Sequence, residues 1–257
     1  YARWHAQYER EAYKELQNTF KKWGNQIPYT LLTEQNYETL IRLVINDAPM
    51  ERTYAKIYTG IGLVHGKRVG RAVNRELKLF EPNSFDSAFI AGLAVFLSSF
   101  SKERIESVSN TYVLYLLFIF KTQLDNGKTA NQASKYLEKQ VKKKNFYKWQ
   151  AQRVAETESG AAANYSAVEA GSSTGFKMEK IWITALDERV RTTPPSPFDH
   201  RHMNGVTVPN GKDFTTSQGE KMSFPRDPKG SAGNVIRCRC TVALRPVRDA
   251  DGNLIEI

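Results

Sequence analysis

Large residues recur every three to four positions through the first stretch of the chain: Trp4, Tyr8, Ala12, Leu16, Phe20 and Trp23. That spacing matches the turn of an α-helix, and no proline or glycine interrupts it before Gly24. Gly24 and Pro28 predict its end. "TEQNYETLIRLVIND" predicts a second helix, with Thr33 as its N-cap. Asp47 and Pro49 predict the start of a third, running to about Leu79, because proline suits the first helical turn. Within it Gly62, Gly66 and Gly70 stand four apart, on nearly one face. Each costs a helix about 1 kcal/mol relative to alanine. Either another backbone approaches closely there, or the helix is locally weak. Asn83 or Ser84 is the expected cap for two further helices, "FDSAFIAGLAVFLSSF" and "SKERIESVSNTYVLYLLFIFKTQL". Thr129 and Gln132 predict a capping box before "ANQASKYLEKQVKKK". A last helix is predicted through "FYKWQAQRVAETESGAAANYSAVEAG".

The pattern changes after Gly171. "KIWITAL" alternates and is rich in β-branched residues, so it predicts a strand, and "GVTV" and "CTVALRPV" predict two more. Seven of the ten prolines fall after residue 190. The expected fold is α+β: a mostly helical N-terminal part, then a small, loop-rich α+β domain with a short antiparallel sheet. The division is a helical region over 1–149, the small domain over 150–246, and a C-terminal hairpin or tail over 247–257.

The longest apolar run, "YVLYLLFIF" at 112–120, is too short to span a bilayer, which takes about 20 residues. It reads as a buried helix segment, and no membrane span is expected. The first 24 residues are charged and aromatic, unlike a secretory leader. The chain has 257 residues and a formal net charge of +10, a balance that favours anionic partners such as nucleic acid. Its two cysteines, Cys238 and Cys240, give no disulfide framework and are expected to be reduced.

Chemistry-bearing residues gather in the second half. Asp187, Arg189 and Arg191 follow the first predicted strand, in "WITALDERVR". An acid beside two arginines can pin a loop to a strand, or the arginines can hold a phosphate or substrate. "HRHMNG" supplies His200 and His202, and "CRC" supplies Cys238 and Cys240. His-x-His and Cys-x-Cys each set two ligands on one strand face, so the four are a candidate Cys₂His₂ site with zinc as its cofactor. The alternative is that the thiols are small strand residues and the histidines hydrogen-bond the loop. "GVTV" pairing with "CTVAL" would bring His200 to the cysteines.

From "QRVAETESGAAANYSAVEAG" through "KIWITALDERVR", "HRHMNG", "FPRDP" and "RCRCTV", the chain resembles the phage head morphogenesis family, the Mu F-like minor head proteins. In that family an Arg-x-x-x-Thr-Glu helix precedes a Trp-bearing strand. An Asp-x-Arg-x-Arg turn follows, then His, four residues and Gly, then a proline loop ending in Asn-Cys-Arg-Cys. Arg153, Thr157 and Glu158 match the helix, and Trp182, Asp187, Arg189 and Arg191 the strand and turn. His200 to Gly205 and Cys238 to Cys240 match the rest. Arg237 stands where the family usually has Asn, "PPSPFD" lengthens the path to His200, and His202 has no counterpart. A site common to the family would use His200, Cys238 and Cys240, with Asp187 as a further candidate.

The resemblance implies a minor head protein of a tailed bacteriophage, acting in head assembly, DNA packaging or DNA ejection. The implied partners are the portal protein, capsid or scaffold protein, and packaged DNA, with residues 1–149 as the docking region. The implied place is the virion, at the portal vertex or capsid interior, after assembly in the host cytoplasm. No catalytic residue is assigned. The rival is a metal-dependent or nucleotide-binding enzyme, or a toxin-like effector, on the same C-terminal domain. Against an enzyme, the chain carries no HExxH, nucleophile elbow or phosphate-binding glycine loop.

Overall fold

The computed structural model describes residues 2–77, 85–100, 102–143 and 145–257. Its helices are α1 (Ala2–Gln26), α2 (Tyr37–Val44), α3 (Asp47–Leu77), α4 (Phe85–Phe100), α5 (Lys102–Asp125), α6 (Ala130–Val141) and α7 (Lys148–Ser172). Strands β1 (Met178–Ile183), β2 (Thr207–Pro209), β3 (Phe214–Thr215) and β4 (Lys221–Met222) follow, then the one-turn helix α8 (Ala232–Val235) and β5 (Thr241–Pro246). The fold is α+β, as the pattern predicts.

The apolar spacing of α1 has the expected consequence: Tyr8, Ala12, Leu16, Phe20 and Trp23 are all buried. The capping box at Thr129 and Gln132 is present in both directions. Asn83 and Ser84 lie outside the described residues. Three helical details differ from expectation. Thr33 does not cap α2. Asn36 folds back instead, accepting the Thr33 N–H at 2.7 Å and donating to Leu31 O at 3.0 Å, so the preceding residues form a turn and the helix starts at Tyr37. The run 112–120 is only half buried. Tyr112, Val113, Leu116 and Phe120 face the core, while Leu114 and Phe118 are exposed, as helical geometry requires when one face packs. On α3 the atoms nearest Gly62 belong to a side chain and not to a second backbone. The ring of Phe89 from α4 occupies the space a Cβ would need, whereas Gly70 faces open space.

The three-stranded sheet has the order β2-β1-β5, with both neighbours antiparallel to β1. Trp182 on β1 stands opposite Val242 on β5, and Lys180 opposite Val208 on β2. The expected pairing of "GVTV" with "CTVAL" does not occur: each pairs with β1, which therefore lies between them. β3 and β4 form a separate hairpin. Bridges from Arg248 to Leu254 and from Phe176 to Glu256 make residues 247–257 a hairpin folded back on the chain before β1. Among the described residues no helix is long and apolar enough to cross a membrane.

α7 lies at the centre. Eighteen of its 25 residues are buried, and one apolar cluster joins Trp23, Tyr58 and Tyr112 from the first helices to Trp182, Phe214 and Val242 from the strands. Within this core Glu158 of α7 accepts the Tyr58 hydroxyl at 2.8 Å and pairs with Arg104 of α5 at 3.1 Å. Burial raises Tyr58 well above the ordinary tyrosine range, and the Glu158 charge adds to that, so Tyr58 stays protonated as the donor.

Glu158→Ala leaves Arg104 inside the core without its carboxylate and is expected to cost about 3–5 kcal/mol in denaturant unfolding; a loss under 1 kcal/mol would contradict the ion pair's role. Gly70→Ala is expected to gain up to ~1 kcal/mol in thermal melts. Gly62→Ala is expected to lose about 1–3 kcal/mol, because Phe89 must move.

Candidate metal centre

The segment holding the two cysteines is not a strand. After α8 the chain turns through Arg237, whose φ of +54° lies in the left-handed region, and β5 begins only at Thr241. Asn tolerates this conformation better than other non-glycine residues, so an arginine here needs support. Here Arg237 holds it with two contacts: its backbone N–H donates to Thr157 Oγ1 at 3.1 Å, and its guanidinium pairs with Glu156 at 2.6 Å. The turn then folds so that the Cys238 N–H donates to Val235 O at 3.1 Å and the Cys240 N–H to Cys238 Sγ at 3.4 Å. Both thiols point inward, each about 1% exposed.

His200 reaches them from the other side. Its backbone N–H donates to Arg191 O at 3.0 Å, and its ring meets the Trp182 indole edge-on at 5.9 Å. His200 Nδ1 stands 3.4 Å from Cys238 Sγ and 3.7 Å from Cys240 Sγ, while Nε2 stands 3.0 Å from Asn234 Oδ1. A carbonyl oxygen can only accept. Nε2 therefore carries a proton, and Nδ1 faces the two sulfurs.

The electrostatics of the two thiols are opposite. Burial resists ionisation of Cys238, but hydrogen bonds from Cys240 and His200, with the charges of His200 and Arg226, outweigh it and hold its thiol well below the ordinary range. Cys240 is pushed up, first by its hydrogen bond to Cys238 and then by burial. The two thiols are thus driven in opposite directions.

His200, Cys238 and Cys240 form a group of metal-type donors whose atoms lie within 4.8 Å of one another. In a tetrahedral zinc site, with Zn–S about 2.3 Å and Zn–N about 2.0–2.1 Å, neighbouring donors stand about 3.6–3.8 Å apart. The distances of 3.4 and 3.7 Å fit that spacing. The Asn234 carbonyl on the far side of the imidazole is the outer partner that a metal-bound histidine usually has. These three residues would hold the ion and leave one coordination position to a non-protein ligand.

The other predicted residues divide. His202 is exposed and outside the group, its N–H bound to Asp199 Oδ1 at 2.9 Å, so the four-donor set reduces to three. The cause is the turn at 200–204, which points alternate side chains apart where a strand would align them. Asp187 is not a ligand either. It accepts the Arg189 N–H at 3.1 Å and pairs with Arg239, the residue between the cysteines, at 2.7 Å. Arg191 donates to Ile236 O. The Asp187–Arg191 turn therefore clasps the Cys-Arg-Cys segment from outside. Trp182 forms one wall of the centre, and Thr157 anchors Arg237. Arg153 is exposed and contributes only its carbonyl, which accepts the Thr157 hydroxyl at 2.9 Å.

Three contributors were not picked out from the sequence: Asn234, Asn164 and Arg226. Fully buried Asn164 donates to Pro225 O at 2.7 Å and Cys240 O at 3.4 Å, and accepts from the Thr241 hydroxyl at 2.9 Å and the Val242 N–H at 3.1 Å. An Asn inside an otherwise small and apolar helical run was the available signal.

No family model, curated protein or solved structure matches the chain.

Protein purified without chelator is expected to carry close to one equivalent of zinc by elemental analysis. Cys238→Ser should reduce this below about a tenth, while His202→Ala should leave it unchanged. Wild-type protein that is folded yet holds under a tenth of an equivalent would end the metal reading.

Proposed function

We propose that the chain is a minor head protein of a tailed bacteriophage, acting with the portal in head assembly, DNA packaging or DNA ejection. One observation supports this reading. The pieces that carry the resemblance are scattered over residues 153–240, and they meet around one buried centre. Thr157 holds the Arg237 N–H, Trp182 meets the His200 ring edge-on, and the Gly205 N–H donates to Trp182 O at 2.8 Å. Asp187 and Arg191 clasp the cysteine segment, and the proline loop contributes Pro225 and Arg226 to α7. Chance matches along a chain have no reason to converge in space. Residues that specify one fold do.

In this reading the small domain is rigid and non-catalytic, zinc is a structural pin, and the helices of residues 1–149 dock on the portal. The chain resides at the portal vertex or in the capsid interior, close to packaged DNA, with capsid or scaffold protein as further neighbours during assembly. Three protein ligands is also the number in catalytic zinc sites. Here the donors are only 1–2% exposed, which speaks against a substrate-accessible metal.

Co-expression with a portal protein from the same genome tests the proposal. The chain is expected to co-elute with the portal ring in size-exclusion chromatography, in a few copies per ring. An intact ring that elutes free of the chain, with both proteins folded and at micromolar concentration, would overturn it.

A further inference from the structure

A cleft of about 870 Å³ opens beside the metal centre, between the start of α1, the middle of α7, the end of β1 and the turn before β5. Five arginines line it: Arg189, Arg191, Arg226, Arg237 and Arg239. The carboxylates among them are Glu9 and Glu156 in the lining and Asp187 behind it. Three negative charges therefore face five guanidinium groups, and the cleft keeps an excess of positive charge.

The ion pairs are unevenly distributed. Arg237 pairs with Glu156, and Arg239 and Arg189 share Asp187. Arg191 and Arg226 pair with no carboxylate among the described residues. Arg191 donates to Ile236 O. Arg226 donates to Glu156 O at 2.8 Å and faces His5 Nε2 at 3.1 Å. Arg226 is only 1% exposed, its φ is +71°, and its Nε–H has no partner. The lining carboxylate Glu9 reaches it only through the imidazole of His5, which lies 2.9 Å from Glu9 Oε1.

The fold makes room for Arg226 at a cost elsewhere. Its guanidinium lies against α7 at Gly160, where any Cβ would overlap it. A glycine in mid-helix sacrifices stability, and here that loss accompanies placement of a cation at the cleft wall.

We propose that this cleft binds a small phosphorylated molecule, of nucleotide size, through its phosphate groups. Guanidinium forks match phosphate oxygens in pairs, and several convergent forks favour a multiply charged anion over a single carboxylate. The volume is that of a small-molecule site. The cleft lining contains no phenylalanine, tyrosine or tryptophan, so recognition rests on the phosphates and not on stacking of a base. A concave site with a deep cation suits a compact ligand better than a continuous nucleic-acid strand.

Calorimetric titration of the full chain at low salt tests this, with tripolyphosphate and ADP in separate runs and a single-stranded oligonucleotide as the comparison. Saturable binding of tripolyphosphate and ADP is expected. Arg191→Gln should weaken it about tenfold or more, the worth of a charge-assisted hydrogen bond. Arg191 also holds the Ile236 carbonyl, so Arg189→Gln provides a second variant with little risk to folding: its side chain is 75% exposed, and it too should weaken binding severalfold. Lys121→Gln, on the exposed side of α5, should change nothing. The proposal is overturned if neither small ligand binds, if only the oligonucleotide binds, or if Lys121→Gln weakens binding as much as Arg189→Gln.

Discussion

A helix segment without a polar face has to be enclosed, and α7 from Thr157 onward is such a segment. Its small residues, Ser159 to Ala163 among them, let neighbours approach on every side. α1 and α3 cover part of its surface, and β5 and the loops before it cover the rest. The few polar groups on α7 then decide which segment goes where, because each must find a partner away from water. Glu158 turns toward Tyr58 and Arg104 in the helical part. Thr157, one position earlier, turns toward the cysteine segment. Two adjacent residues thus fix opposite sides of the molecule.

Asn164 extends the same logic. Its amide replaces strand partners for β5: it accepts the Val242 N–H and the Thr241 hydroxyl and donates to the carbonyls of Pro225 and Cys240. The loop that carries Arg226 and the segment that carries the thiols are held to one amide. The metal-type donors and the arginine cleft are therefore two products of one constraint, and they share the turn from Arg237 to Cys240. Arg226 lies near enough to both that its charge favours the Cys238 thiolate.

Much of the helical part is legible along the chain. The burial of Tyr8, Leu16 and Phe20 follows from their spacing, and the α6 cap from Thr129 and Gln132. The start of α2 was not legible, since Thr33 and Asn36 are both good caps and only the fold selects between them. The path of the sheet was not legible either. "GVTV" and "CTVAL" look like partners, but both edges of β1 were open to them, and the intervening loops decide. Among the site residues, His200 and the two cysteines could be read as donors. His202 was misleading because spacing by two implies a shared face only on a strand, and the chain turns there. Asn164, Asn234 and Arg226 were hidden for a common reason: a buried polar residue looks like a surface one until its partners, far along the chain, are in place.

The central claim is that α7 fastens helices and strands into one cooperative structure through its polar groups. Native-state hydrogen exchange measures this directly, by comparing the slowest amides of α3, of α7 and of the β1–β5 pairing in the folded chain. The account predicts one shared opening free energy for all three, falling together when Asn164 is replaced by alanine. Strand amides that exchange through a separate, lower-energy opening while α3 and α7 stay protected would contradict it.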